Sequence, residues 1–132
     1  MASRLAPTTA AILLALPLGA AVAASAGHGR ISDAEAQRTN RAAVTAIASW
    51  RTDHGSYAGV TVERLVALDP SLRDAPGLRL TRVSAGSFRV ATHATTGRTF
   101  RTTRRAKTGR VYLTCTPAGA GACRGDGTWG RR

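Results

Sequence analysis

Residues 78–115 read LRLTRVSAGSFRVATHATTGRTFRTTRRAKTGRVYLTC, and this stretch decides the fold. Its apolar residues recur at every second position, the period of a strand with one buried face. Leu78, Leu80, Phe88, Val90, Phe100, Val111 and Leu113 fall on that face. The opposite parity carries Arg79, Arg89, His93, Arg101, Arg105, Arg110 and Tyr112, with several Thr. Three short, Gly-containing breaks divide the run: Ala85-Gly86-Ser87, Thr95-Thr96-Gly97 and Ala106-Lys107-Thr108-Gly109. Such links are the signal of hairpins. The spacing predicts strands over about 78–84, 88–94, 98–105 and 110–115. Arg82-Val83 breaks the alternation, so a bulge or an early strand end is expected there.

Upstream, the period changes to that of a helix. Ser32-Asp33-Ala34-Glu35 has the form of a capping box, in which Ser32 accepts from the first turn and Glu35 reaches back. Ala36, Ala43, Val44, Ile47, Ala48 and Trp50 then give one apolar stripe. Gly55 is a natural stop, because the residue past a helix often needs positive φ. A helix over about 32–53 follows from these signals. Thr61 can cap a short second helix with Val62, Leu65, Val66 and Leu68, which Asp69-Pro70 ends. The fold class is α+β: an N-terminal amphipathic helix packed on a three- to four-stranded antiparallel meander, with a C-terminal disulfide loop.

The start of the chain reads as an address. Arg4 is the one charge before Arg30, and an Ala/Leu-rich run with Pro17 and Gly19 separates them. A charged start, a short apolar core and small residues at Ala24 and Ala26 describe a signal peptide over 1–26, with a domain over 27–132. A cut after Ala23 is a second choice. An uncleaved anchor is the competing reading, since Leu5 to Gly29 is uncharged, but Pro7 and Pro17 make it a poor spanning helix. Membrane contact is expected only if this segment is retained. Cys115 and Cys123 are the two cysteines of the chain, with small residues and Gly between them. In an exported chain two thiols so close tend to pair. The competing metal or redox pair lacks a Cys-x-x-Cys spacing and nearby His.

The order of these pieces resembles the globular head of type IV pilins and of the pseudopilins of type II secretion. The helix carries Ala42-Ala43-Val44-Thr45-Ala46-Ile47-Ala48-Ser49-Trp50. Asp53-His54-Gly55-Ser56-Tyr57-Ala58-Gly59 follows, similar to that family's DNGSYP loop, and then come Asp69-Pro70-Ser71-Leu72, a meander and a cysteine loop. The resemblance covers about residues 33–129. It implies a structural or interaction role, with pilus or secretion-system components as partners. The chain departs from the family at its start. No acidic residue precedes Asp33, and Gly27-His28-Gly29 separates the apolar run from the amphipathic helix.

Catalytic patterns fail on spacing. No Gly-x-Ser-x-Gly or His-Glu-x-x-His occurs, and His28, His54 and His93 are scattered. Asp53, His54 and Ser56 are near neighbours at a helix end, where side chains seldom converge as a triad. Lys107-Thr108-Gly109 matches a penicillin-recognising tripeptide, but the partner Ser-x-x-Lys is missing because Lys107 is the one lysine. Arg124-Gly125-Asp126 reads as an adhesion tripeptide, for which chance in an Arg- and Gly-rich chain is the better explanation. Asp126 alone is thin support for calcium, which takes six to eight oxygens. Trp129 is expected to pack on the sheet edge or the cysteine loop. The expectation is no enzyme, no cofactor, no metal and no small-molecule substrate.

Charge supplies the second functional reading. The chain has 132 residues and 19 Lys+Arg against 7 Asp+Glu, a formal charge of +12. Hydrophobic content of 43% excludes a disordered basic tail. Arg79, Arg89, Arg101, Arg105 and Arg110 project together if the strand registers hold, and Arg forks match phosphate oxygens. Tyr112 is the one aromatic beside them, so single strands would not be read by stacking. The chain is therefore expected to be a secreted or surface-exposed pilin-like structural or interaction protein. The alternative is a basic extracellular module that binds DNA or an anionic envelope polymer through this face.

Overall fold

The computed structural model describes residues 29–75 and 77–131. Residues 1–26, expected as a signal peptide or anchor, lie outside the described residues. The elements are α1 (Asp33–His54), α2 (Val62–Leu68), a 3-10 turn (Pro70–Leu72), β1 (Arg79–Thr81), β2 (Phe88–His93), β3 (Thr99–Arg104) and β4 (Val111–Thr116). The strands form one antiparallel meander in the order β1-β2-β3-β4. Among the described residues no helix is long and apolar enough to cross a membrane.

The start of α1 is fixed by side chains that meet its free N–H groups. Ser32 Oγ accepts from the Glu35 N–H at 3.2 Å, and the Glu35 carboxylate accepts from the Ser32 N–H at 2.8 Å. That backbone bond, and then the Ser32 hydroxyl, hold the Glu35 carboxyl below its usual range. Asp33 ties the same turn to distant chain: its carboxylate accepts from Thr96 Oγ1 at 2.7 Å, Arg98 Nε at 2.8 Å and the Ala122 N–H at 3.1 Å. At the far end Gly55 takes φ 75°, and its N–H closes the last turn on the Arg51 carbonyl. A residue with Cβ would be strained there.

Two apolar clusters make the core. The larger joins Ala43, Ile47 and Trp50 of α1 to Leu65, Leu72, Phe88 and Val90, with Tyr57 edge-on to Phe88. The smaller gathers Ala36, Phe100, Cys115, Cys123 and Trp129. Burying a side chain such as Ile47 or Phe100 contributes roughly 1.5–3 kcal/mol. Between the clusters sits a polar tie. Asn40 is fully buried, donates from Nδ2 to the Phe100 carbonyl at 3.0 Å, and accepts from Thr102 Oγ1 at 2.5 Å. Thr92 donates to the Ala36 carbonyl at 2.8 Å. Cys115 and Cys123 form a disulfide that closes the C-terminal loop.

Several expectations need correction. Ala48 is exposed, whereas Asn40 and Ala46 join the buried stripe, because residues 36, 40, 43, 47 and 50 are the ones that align on a helix of 3.6 residues per turn. The first strand is shorter than 78–84: it is Arg79–Thr81, and Arg82, with φ 53°, makes the early end expected at Arg82-Val83. Asp69-Pro70 ends α2 at Leu68, as expected, and a 3-10 turn that the sequence does not announce follows it. The Asp69 carboxylate accepts from the Ser71 N–H and supports this turn. Val111 has the parity of the core face yet is 53% exposed, because α1 packs over β2 and β3 and leaves this end of the edge strand uncovered.

Candidate anion-binding face

The strand registers decide which side chains share the open face. Arg79 pairs with Ala91, Ala91 with Arg101, and Arg101 with Thr114, so these four make one row across the sheet. The next row is Thr81, Arg89, Thr103 and Tyr112. Arg79, Arg89 and Arg101 therefore project from one side. Arg105, one step past β3, joins them, and its guanidinium lies 4.7 Å from the centre of the Tyr112 ring. Arg110, one step before β4, has the parity of Tyr112, and its carbonyl accepts from the Arg105 N–H at 3.0 Å. Arg89 and Arg101 are diagonal neighbours, which puts their Cα atoms about 7–8 Å apart.

Threonines aim the guanidinium groups. Arg89 Nε donates to Thr103 Oγ1 at 3.1 Å, and Arg101 Nη1 donates to Thr116 Oγ1 at 3.1 Å. Each bond uses one N–H of a five-donor fork and leaves the others for a ligand. Arg104, next in sequence to Arg105, turns to the opposite side. It donates to the Gly86 carbonyl at 2.6 Å and covers the Tyr57 ring.

The strands of this face carry no counter-charge. No Asp or Glu occurs between Asp74 and Asp126, so the whole meander and its hairpins carry no carboxylate. The one ion pair among the described residues is Arg98–Asp33, at the start of α1. Burial, and then the guanidinium groups of Arg82, Arg101 and Arg105, pull Arg89 below the ordinary arginine value. Arg82 belongs to this group but is hidden in the sequence as a break in the alternation. Its positive φ, which costs of order 1–3 kcal/mol for a residue with Cβ, turns the chain beside Arg89. The missing carboxylates were the signal that could have found it.

At the hairpin end the face dips into a concavity of about 530 Å³. Its lining includes Arg82, Arg89, Arg105, Lys107, Thr103 and Tyr112.

The other sequence motifs are occupied by structural contacts. His54 stacks on Trp50 with ring centres 3.5 Å apart and bonds to the Trp50 carbonyl, while Ser56 Oγ accepts from the Ala58 N–H. Thr108 accepts from the Arg110 N–H inside the β3–β4 hairpin. Arg124 donates to Thr128 and to the Gly130 carbonyl, and Asp126 accepts from the Thr128 N–H. Both ends of that tripeptide thus face their own loop. Trp129 is buried, edge-on to Phe100, and its indole N–H donates to the Arg101 carbonyl at 3.0 Å. Among the described residues no group of three or more His, Cys, Asp and Glu could hold a metal ion.

Comparison with known protein families, with curated proteins and with solved structures finds no match to this chain.

Proposed function

We propose that this chain is a non-catalytic interaction module that binds a polyanion, DNA or an anionic envelope polymer, through the open face of its sheet. One observation carries the reading: Arg79, Arg89, Arg101 and Arg105 share a face whose strands contain no carboxylate. Guanidinium groups so close repel one another, and a ligand with repeated negative charge removes that repulsion. The threonine hydroxyls that orient Arg89 and Arg101 favour phosphate or sulfate oxygens over a diffuse ion cloud. The contact is to backbone charge and not to bases, since Tyr112 is the one aromatic on the face.

The test is the salt dependence of binding to a short DNA duplex. Affinity should fall linearly on a log–log plot. The Arg89→Ala, Arg101→Ala double variant should lower the slope by about 2. An unchanged slope and affinity in that variant would remove the reading.

A second reading has its own support. The long α1, the Asp53–Gly59 loop, the meander and the cysteine-closed C-terminus follow the order of a pilin-like head. In that reading the domain is exported and displayed at the cell surface, and the disulfide suits an oxidising compartment. N-terminal sequencing of the exported protein tests it. A start at Gly27 fits a free head, and a start at Met1 or Ala2 in the membrane fraction fits an anchored subunit.

A further inference from the structure

The open face is not uniform. Towards the Thr116 end of β4 it is an open array, where Arg101 leans on Thr116 and Arg79 is exposed. Towards the β3–β4 hairpin it becomes the concavity of about 530 Å³, and five cationic residues line that one space: Arg82, Arg89, Arg105, Lys107 and Arg104, the last with its guanidinium committed to the Gly86 carbonyl and the Tyr57 ring. Arg89 is half-buried, and its Nε is tied to Thr103. This fixes the plane of the fork and leaves its terminal N–H groups unused by that bond. Arg105 is held over the Tyr112 ring, and Tyr112 pairs with Thr103 and so lies across β3 from Arg89 in the same row. The floor is thus a strand row, and the two guanidinium groups are each braced by a different neighbour.

We propose that this hairpin concavity is a discrete pocket for a phosphomonoester, ligated by Arg89 and Arg105 with Arg82 and Lys107 supplying further positive charge. The inference rests on the polyanion reading of the same face and names the group that its tightest contact takes. The charge count selects the ligand. A carboxylate offers two oxygens and one charge. A phosphodiester offers two free oxygens and one charge. A phosphomonoester offers three acceptor oxygens and a charge of about −1.5 to −2 near neutral pH. Only the last gives two braced forks separate oxygens and still faces the remaining cations with negative charge. Free phosphate, a phosphorylated sugar and the phosphorylated end of a polymer share this chemistry.

The experiment is calorimetric titration of the full domain with glycerol phosphate, dimethyl phosphate and inorganic phosphate, repeated with a DNA duplex bearing or lacking a 5′-phosphate. The monoester is expected to bind at least about tenfold tighter than the diester at pH 7. Its affinity should fall as pH drops below about 6, where the second proton returns to the phosphate. Arg89→Ala and Arg105→Ala should each abolish this preference, with thermal melts confirming that they fold. Arg79→Ala, outside the pocket, should keep the preference while weakening binding of the duplex. Inorganic phosphate binding like the monoester marks a pocket for any phosphate dianion. A 5′-phosphate that strengthens the duplex marks polymer ends as a source. Equal binding of monoester and diester, or equal loss in all three variants, would overturn the pocket and leave the face reading standing. No binding of any phosphate compound or duplex would overturn both.

Discussion

The two faces of the sheet use the same residue type for opposite ends. On the side that meets α1, Thr92 and Thr102 are buried, and their hydroxyls bond to the Ala36 carbonyl and to Asn40. On the open side, Thr103 and Thr116 accept from Arg89 and Arg101. A threonine hydroxyl holds a helix in place on one face and a cation in place on the other. The energetic consequences differ. A buried polar group must be satisfied or it costs roughly 1–3 kcal/mol. An exposed hydroxyl can bond to water instead, so the open-face bonds orient side chains without much effect on stability. The neighbours Arg104 and Arg105 repeat the contrast in two residues, one bracing Tyr57 from the core side and one lying over Tyr112 on the open side.

Perturbing each face should separate stability from binding. Asn40→Ala should have the largest effect on folding. It strips the buried Thr102 hydroxyl of its acceptor and removes the side-chain donor that the Phe100 carbonyl has besides its strand pairing with Thr92. A loss of about 3 kcal/mol is expected in urea denaturation. A loss below about 1 kcal/mol would mean that the core side tolerates unmet polar groups as the open side does. Replacing both Cys115 and Cys123 by Ser opens a loop with a sequence separation of 8. The chain-entropy account gives about 2.5 kcal/mol for such a loop, to be read from the same denaturation curves. Ser32→Ala removes the hydroxyl that caps α1 and should cost about 1 kcal/mol. Arg89→Ala with Arg101→Ala should change stability by less than about 0.5 kcal/mol or raise it, because like charges are removed from a wet surface. A large loss there would show that these arginines serve the fold.

The smallest effect concerns pH. Hydrogen bonds from Ser32 depress the folded-state pKa of Glu35. Its stabilising contribution is therefore complete above the unfolded carboxylate value of about 4.3 and fades as pH falls through the lower folded value. Glu35→Gln keeps the capping geometry and removes the titration. The stability gap between wild type and this variant should shrink below about pH 4. A gap that is constant with pH would contradict the assignment.

Much of the frame is legible in the sequence because period and caps are local. Phe88, Val90 and Phe100 announce the core face by alternation, and Ser32 with Glu35 announces the helix start. Cys115 and Cys123 announce their bond by closeness. Asn40 is different. A polar residue reads as solvent-facing until Thr92 and Thr102 arrive from strands more than fifty residues away. Val111 fails for the converse reason: its parity is right, but coverage depends on where α1 ends up across the sheet. On the candidate face, parity supplied Arg79, Arg89 and Arg101. Arg82 needed a left-handed turn that alternation cannot encode. The closing of the hairpin end into a concavity is equally a product of three dimensions.

The central claim is that the open face, and not the helix side, meets a polyanion. Amide and arginine side-chain shifts in an NMR titration with a short DNA duplex test it most directly. The largest changes should fall on Arg89, Arg101, Thr103, Arg105 and Tyr112, with Ala36–Trp50 of α1 unmoved. Changes centred on the exposed side of α1, around Arg38, Arg41 and Arg51, would contradict it.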